Sequence, residues 1–484
     1  MILRPAPLLV LHRHACVKTI CALAAAALLT ACQNDASGLA LSAPSLPASY
    51  AAAAKLPSGR QRDLRDWWQA FGDPVLSGLV QRSLAQNLTI AQAKQQLVAA
   101  RAMARTSRTL FMPTADVSGT ANAGTGSTKS EELLRRPVQL NLEAGWEIGL
   151  FGLSENTQRA AKASADMVAE DVEAARITVA AEIASAYVRL RALQEREAIA
   201  RASLALIERD GNLAAVKYRS GLAAASDAEE SRINLGEAKA EQARFQTQID
   251  ITLQQIATLL GTAQIDTSLQ HAKPQPVARL DPVAGRPADL LRARPDVRRA
   301  ELATVRAAAD IGIAQADLYP KLRLSGIVGV GGPSNGSPFG IMGGPSVQIP
   351  VFDQGRRRAV VAARQALFDD AVAAYRQSVL VAYEEASSAL RAWSAVHATT
   401  RQLNTNLASA QKMRSATTVL EREGLSDGSK SIGAAMRVLA QRKQLADAQE
   451  AEALALITFY KAIGGASPLT TSTHDAAPAR QRKG

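Results

Sequence analysis

The stretch Val138–Ile148 reads Val-Gln-Leu-Asn-Leu-Glu-Ala-Gly-Trp-Glu-Ile, and apolar and small residues alternate in it with polar ones almost without a break. Because successive side chains of a β-strand point to opposite faces, this pattern predicts a strand with one apolar and one polar face. Its length matches that of a tilted strand crossing a bilayer. A soluble hairpin with one solvent-facing side would give the same pattern.

Three weaker alternations lie elsewhere in the chain and complete two predicted hairpins. The first hairpin covers residues 114–148, with a polar loop between its strands. The second covers residues 321–352, with a Gly-rich loop from Gly331 to Gly344 and a last strand marked by Val347, Ile349 and Val351. The sequence therefore predicts four short strands of similar length in two pairs.

The chain repeats itself at long range. Arg219–Ser226 reads Arg-Ser-Gly-Leu-Ala-Ala-Ala-Ser and Arg422–Ser429 reads Arg-Glu-Gly-Leu-Ser-Asp-Gly-Ser, with Arg, Gly, Leu and Ser at the same spacing. The segment Leu110–Pro113 before the first hairpin has a counterpart before the second, and Leu150–Gly152 after the first has one after the second. A period this long is typical of one duplicated unit rather than of a solenoid.

The remaining regular sequence predicts helices. Residues from Ser154 to about Val216 are Ala-rich, lack proline and carry apolar residues at three- and four-residue steps. A helix of this length would extend about 90 Å, against a hydrocarbon core of about 30 Å, so it is expected to project from the membrane. Its counterpart begins near Gln354. Each long helix is expected to turn at the Arg-x-Gly-Leu motif and return as a shorter helix, over Ser226–Leu260 and Ser429–Ile463.

The N-terminus predicts export. Arg4, Arg13 and Lys18 precede an apolar run and the sequence Leu-Thr-Ala-Cys, which ends at Cys32. This order is typical of a secretory signal with a lipoprotein cleavage site, so Cys32 is the predicted lipidated first residue. An ordinary signal with a chance cysteine is the alternative. Gln33 follows, where lipoproteins of the inner membrane carry Asp, and outer-membrane sorting is therefore favoured.

Composition excludes some functions. The formal net charge is +12, but the basic residues are interspersed with acidic ones and aromatic residues make up 4% of the chain. An exported protein of this kind is not expected to bind nucleic acid. No stretch after the signal has the roughly 20 apolar residues of a membrane helix. If the chain crosses a membrane, it does so by strands.

Four strands cannot close a barrel, and an open edge in lipid leaves backbone groups unpaired at several kcal/mol each. Several chains must therefore complete the wall. Two chains would give eight strands, whose interior is filled by side chains, whereas three give twelve strands around a duct. A conduit favours three chains.

Four motifs at the junctions between the predicted elements resemble those of the outer-membrane efflux proteins of the TolC and OprM type, in the lipoprotein branch labelled NodT. They are Trp67–Pro74, Trp146–Gly152, Arg294–Arg298 and Pro350–Gly355. The resemblance covers nearly the whole mature chain. It implies a mainly α fold with a small β part, in which a homotrimer forms a 12-stranded transmembrane β-barrel on a long α-helical periplasmic barrel. It also implies a periplasmic adaptor protein and an inner-membrane RND-type pump as partners, with passive export through this subunit.

The expected organisation has six parts. They are a signal peptide (1–31), a lipidated N-terminal segment (32–73), a first repeat (74–261), a connector (262–294), a second repeat (295–465) and a disordered tail (466–484).

The helix-hairpin tips are the expected adaptor contacts, because Gly permits the reversal and an exposed Leu supplies apolar contact. They could also be tight turns only. The tip residues are Arg219, Gly221, Leu222, Arg422, Gly424 and Leu425. In the resembled family, acidic residues at the start of each returning helix line the periplasmic aperture. Asp227 and Glu230 match in the first copy, whereas Asp427 and Lys430 stand in the second, which predicts a mouth of mixed charge. Gly149 occupies a place where this family often has Asp.

No enzyme activity, metal or cofactor other than the lipid on Cys32 is expected. The Gly-x-Ser-x-Gly match at Gly332–Gly336 lies in a Pro- and Gly-rich loop rather than a strand-to-helix turn. The alternative function is a lipid-anchored periplasmic adaptor or structural protein without a pore. The generic polar lining leaves drugs, metals, aromatic acids and oligosaccharides open as cargo.

Overall fold

A computed structural model describes residues 44–47, 64–121, 138–277, 292–331, 339–426 and 428–465. The helices are α1 (Pro74–Gln86), α2 (Leu88–Thr109), α3 (Leu153–Arg219), α4 (Ala225–Leu259), α5 (Pro295–Ala316), α6 (Gln354–Arg422) and α7 (Gly428–Ala462). The strands are β1 (Thr114–Ala121), β2 (Val138–Ile148), β3 (Lys321–Gly331) and β4 (Phe339–Gln348).

The two long helices, α3 and α6, contain 67 and 69 residues. Neither contains proline, and both are rich in alanine, which has the highest helix propensity. Their first and last residues lie within a few positions of the expected ones. The shorter helices α4 and α7, of 35 residues each, return from them.

The described chain divides into two compact units. The strand unit comprises Leu97–Val168 and Ala300–Tyr375 and contains the sheet. The helical unit comprises Pro44–Gln96, Ala169–Arg299 and the chain from Arg376 onward.

The strand unit holds one antiparallel sheet in the order β1-β2-β3-β4. The two expected hairpins are joined because β2 pairs with β3, from Gln139 opposite Gly331 to Ile148 opposite Leu322. The register places Val117, Leu142, Val328 and Ile341 in one row across the four strands. The duplicated hairpins therefore form a single sheet.

The helical unit is built around a core of aromatic and aliphatic side chains. Trp67 is 4% exposed and stacks on Tyr460 with ring centroids 5.4 Å apart. Asp73 accepts hydrogen bonds from the N–H groups of Val75 and Leu76 and so caps α1. Its other oxygen accepts from the Tyr187 hydroxyl at 2.7 Å. Burial raises the pKa of Tyr187 to about 12, so the phenol stays protonated and holds α1 against α3.

The sequence predicts a single helix over Pro74–Leu110, because no proline interrupts it before Pro113, but the helix is broken at Asn87, whose backbone is extended. The Asn87 side-chain oxygen accepts from the N–H groups of Thr89 and Ile90 and caps α2. Its amide donates to the carbonyl of Leu259, at the end of α4, over 2.9 Å. Asparagine is a strong N-cap residue, so the break had a local signal in the sequence.

The last strand also differs from the expectation. β4 begins at Phe339 and ends at Gln348, so part of the expected Gly331–Gly344 loop is strand and Ile349 and Val351 lie beyond its end. A Cβ atom on Gly343 would lie 2.6 Å from the carbonyl oxygen of Ser325. Gly343 therefore permits β4 to lie close to β3. The Gly-rich composition of this segment did not distinguish a strand from a loop.

Candidate functional site

One face of the sheet is apolar across all four strands. The register aligns the apolar residues of neighbouring strands, so that the apolar side of β2 faces the same way as those of β1, β3 and β4. These side chains are exposed or half-buried, and the chain itself buries none of the large ones. The large exposed ones are Val117, Leu140, Leu142, Trp146, Val330, Phe339, Ile341 and Val347. A contiguous exposed apolar surface marks a site of contact with a membrane or with another protein.

The opposite face is mainly polar. It carries Asp116, Ser118, Asn141, Glu143, Glu147, Arg323, Ser346 and Gln348. The exceptions are Ile327 and Met342, which lie opposite each other in the register. The sheet thus separates an apolar side from a side suited to water, as the alternation in Val138–Ile148 predicted.

The outer edges of the sheet are open. Within the described residues, β1 pairs only with β2 and β4 pairs only with β3. Each outer edge therefore presents backbone N–H and C=O groups to a further strand.

The two helix hairpins reverse by the same geometry. Gly221 and Gly424 have φ values of 71° and 72°, in the left-handed region that favours glycine. The N–H of Leu222 donates to the carbonyl of Lys217 at 2.8 Å, and that of Leu425 donates to the carbonyl of Leu420 at 2.9 Å. These are Schellman motifs, in which a left-handed glycine satisfies the last carbonyls of a helix.

The tips present apolar side chains to the surroundings. Leu222 is 79% exposed and Leu425 is 74% exposed. Arg219 and Arg422 are exposed one turn or less before them. No Cβ contact would form at Gly221 or Gly424, so the space around both turns is open. Each tip therefore offers a leucine and an arginine for contact with another molecule.

The expected aperture residues are exposed, where described. The Asp227 carboxylate accepts from the N–H of Ala224 at 3.3 Å, which caps α4. Glu230 is exposed on the second turn of α4, and Lys430 is exposed on the first turn of α7. Asp427 lies outside the described residues. Asp227 thus has a capping role that the sequence did not indicate.

Close packing at the first strand-to-helix junction explains why residue 149 is a glycine. A Cβ atom on Gly149 would lie 2.7 Å from the Cβ of Ser154 and 2.8 Å from the ring of Phe111. The indole of Trp146 donates to the carbonyl of Phe111 at 2.8 Å and fixes this approach. Gly149 is therefore required by close packing, which leaves no room for an Asp side chain.

Comparison with known proteins identifies the family. The outer membrane efflux protein family matches residues 79–262 and 287–465, which is well over half of the chain. The chain belongs to this family.

Three relatives illustrate the similarity. Nodulation protein T of Rhizobium leguminosarum bv. viciae is 31% identical over 430 residues, which cover 86% of each protein. The toluene efflux pump outer membrane protein TtgF of Pseudomonas putida is 30% identical over 361 residues, covering 70% of this chain and 74% of that protein. Among solved structures, the outer-membrane channel OprN matches with a TM-score of 0.75 and 27% identity, covering 88% of this chain and 99% of that chain.

Membership confirms the resemblance, the TolC-like fold class and the outer-membrane location inferred from the sequence. Among the described helices of this efflux protein, none has both the length and the apolar character that crossing a bilayer requires.

Charged residues that link the helices of this efflux protein were missed by the sequence analysis. Arg196 on α3 binds Asp447 at 2.6 Å and also binds Glu450, both on α7. Burial opposes the charge on Arg196, but its hydrogen bonds to the two carboxylates outweigh burial and raise its pKa. Arg442 binds Glu195 at 2.7 Å between the same helices. The two residues of each pair belong to different repeats and lie about 250 residues apart in sequence, so no local sequence pattern predicts the pairing.

The Arg294-Pro295-Asp296 motif joins the start of the second repeat to its end. Arg294 is 7% exposed, donates to the carbonyl of Ala462 at 2.6 Å and binds Asp296 and Glu385. Burial opposes its charge, but the two carboxylates raise its pKa. The Asp296 carboxyl is also partly buried, but Arg294 lowers its pKa. The motif is thus an anchor at the end of α7.

No group of histidines, cysteines and carboxylates in the described residues could hold a metal ion. His397 binds Glu452 at 2.7 Å between α6 and α7. Cys32, His474 and the Gly332–Gly336 loop lie outside the described residues.

Proposed function

We propose that this efflux protein is the channel subunit of a tripartite pump, in which three copies conduct small molecules passively out of the periplasm. The observation that carries the proposal is the continuous apolar face of a four-stranded sheet with two open edges. In lipid, each unpaired backbone group costs several kcal/mol, so further strands must cover the edges of β1 and β4.

Three copies fit this requirement. Pairing β4 of one copy with β1 of the next would join the sheets edge to edge and form a closed ring. Twelve strands leave room for a water-filled duct lined by the polar face, whereas eight strands enclose an interior filled by side chains. The polar residues opposite the apolar face support such a lining.

The proposed partners are a periplasmic adaptor protein and an inner-membrane RND-type pump, which supplies the energy. The name of the similar protein TtgF, an efflux pump outer membrane protein, supports a place in such an assembly. The chain itself is proposed to catalyse no reaction and to carry no cofactor other than a lipid on Cys32.

The channel proposal is tested with the full-length protein extracted from outer membranes. We expect a trimer band in gel electrophoresis that converts to monomer on heating, and stepwise conductance in a planar bilayer. A monomer that leaves the membrane when the lipid on Cys32 is removed, and that conducts no ions, would contradict the proposal.

The tip leucines give a prediction about docking. Leu222→Asp combined with Leu425→Asp should lower the amount of adaptor that co-purifies from cells at least about 30-fold, because the loss of even one apolar anchor at the centre of an interface costs about 2 kcal/mol or more. Conductance should stay normal. The matched control is Leu222→Met with Leu425→Met, which keeps an apolar side chain. Equal recovery of adaptor with both double variants would show that the tips are turns only.

The mixed charge at the start of the returning helices gives a second prediction. If Lys430 faces the aperture, Lys430→Asp should raise the cation-to-anion permeability ratio at least about threefold, because three copies each replace a positive by a negative charge. The ratio is measured from reversal potentials under a salt gradient. Lys461→Asp, at the other end of α7, makes the same charge change away from the tip and should leave the ratio unchanged. An unchanged ratio in Lys430→Asp would place Lys430 outside the pore.

A further inference from the structure

The two strand-to-helix junctions of the duplicated unit use equivalent phenylalanines differently. Phe151, after β2, has a φ of 52° and stacks on Tyr319 with ring centroids 4.7 Å apart. Phe352, after β4, is 100% exposed. The first ring stabilises the fold of the strand unit, whereas the second contacts nothing in the described part of it.

Exposed apolar residues continue along the chain past the end of β4 as far as Phe352. Ile349 and Val351 follow Val347 at two-residue steps, and the three are 59 to 64% exposed. The register places the end of β4 and the start of β1 at the same end of the strands, together with the end of β2 and the start of β3. This edge of the sheet, formed by the ends of all four strands, is distinct from the open outer edges along β1 and β4. The exposed apolar surface therefore extends past the strands at this edge and ends in an aromatic ring.

Basic residues follow at once. Arg356 and Arg357 both bind the carboxylate of Asp353 at 2.8 Å, so this single acid is shared by two arginines. The hydrogen bond from Arg356 holds the pKa of Asp353 below its ordinary value, and Arg357 adds to the effect. Arg358 is exposed and forms no ion pair with any residue that the structure describes.

The helix that enters the same edge is also basic. The last three turns of α2, which leads into β1, carry Arg101, Arg105 and Arg108. All three side chains are exposed, and none is ion-paired with a described residue. The next acidic residue along the chain is Asp116, within β1. An excess of positive charge thus borders the apolar face both on α2, which leads into β1, and on α6, which follows β4.

We propose that this edge binds the phosphate headgroup of an anionic phospholipid in the periplasmic leaflet of the outer membrane. Arg358 takes the phosphate, because a guanidinium donates two parallel hydrogen bonds to phosphate oxygens. Phe352 lies at the boundary between headgroups and acyl chains, where aromatic rings concentrate in membrane proteins. The proposal rests on the proposed function, which puts this edge at the periplasmic side.

Charge favours lipid over a neighbouring copy as the occupant. In a ring of copies, β4 would meet β1 of the next copy, and the residues before β1 are the exposed arginines of α2. Arg358 would then face like charges, and none of the described residues 101–115 carries a carboxylate that could offset them. An anionic headgroup between the copies neutralises both sets of arginines.

The test uses the full-length protein, exchanged into mixed micelles that contain equal amounts of phosphatidylglycerol and phosphatidylethanolamine. Native mass spectrometry counts the lipids retained per chain. We expect the wild type to retain phosphatidylglycerol in preference, and Arg358→Ala to retain it about fivefold less. Arg358→Lys should restore most of the retention. Arg364→Ala, which removes an exposed arginine further along α6, is the matched control and should behave as the wild type.

Equal retention of the two lipids by the wild type, or unchanged retention in Arg358→Ala, would overturn the lipid site. A lower trimer fraction in Phe352→Ala with unchanged phosphatidylglycerol would assign the surface to a neighbouring copy and also overturn it. Conductance measured on the same preparations separates the two proposals. A wild type that retains phosphatidylglycerol but conducts no ions would contradict the channel alone.

Discussion

Leu142→Lys is expected to prevent most of the protein from assembling in the outer membrane. Leu142 is 44% exposed and lies midway along β2, in the row that contains Val117 and Val328. If the apolar face contacts lipid, a lysine near the bilayer midplane costs about 2–4 kcal/mol per chain. This cost corresponds to a factor of about 30 to 900 in the assembly equilibrium. The measurement is the amount of heat-modifiable trimer recovered from outer membranes.

The next residue of the same strand provides the control. Glu143 points to the polar face, where its carboxylate lies 3.5 Å from the hydroxyl of Ser118. Glu143→Lys introduces the same side chain one position away and should leave the yield of trimer close to that of the wild type, while changing the ion selectivity of the channel. Similar yields of the two lysine variants would show that the apolar face does not contact lipid.

Much of this fold is encoded locally and could be predicted. The alternation in Val138–Ile148 predicted the bounds of β2. Ala-rich sequence without proline, with apolar residues at helical spacing, predicted α3 and α6 to within a few residues. The Arg-x-Gly-Leu motifs gave the hairpin tips, because a helix that ends in a left-handed residue almost requires glycine. Signals of this kind act over a few residues and need no tertiary information.

The pairings between the repeats could not be predicted. β2 and β3 are adjacent in the sheet but about 180 residues apart in sequence, and either hairpin alone satisfies the same alternation. Arg191 is fully buried and donates to the side chain of Gln194 at 2.7 Å and to the carbonyl of His271 at 2.8 Å. The distant partner, His271, contributes a backbone group, which carries no side-chain signal. The roles expected for the tip and aperture residues stay predictions, because they depend on molecules beyond a single chain.

The glycines that end the helices lead to the second large prediction. Gly221, at a hairpin tip, and Gly261, at the end of α4, have φ values of 71° and 75° and end their helices by the same hydrogen-bond pattern. Their surroundings differ. A Cβ atom on Gly221 would meet nothing within 4 Å, whereas one on Gly261 would lie 2.7 Å from the carbonyl oxygen of Gln86, the last residue of α1.

Gly221→Ala should therefore destabilise the protein by about 1 kcal/mol, the cost of a left-handed alanine. Gly261→Ala should cost about 3 kcal/mol or more, because the new methyl group also displaces a backbone carbonyl, which cannot rotate away as a side chain could. The Asn87 amide, which binds Leu259 next to this site, would be strained by the same displacement.

The two variants are compared by the temperature at which half of the trimer converts to monomer at a fixed heating time, since unfolding of such a protein is governed by its rate. We expect Gly261→Ala to convert at a clearly lower temperature than Gly221→Ala, and Gly221→Ala to stay close to the wild type. Equal shifts would mean that backbone conformation alone decides the cost. In that case the end of α1 would not be packed against Gly261, and the break at Asn87 would have no role in holding α1 and α4 together.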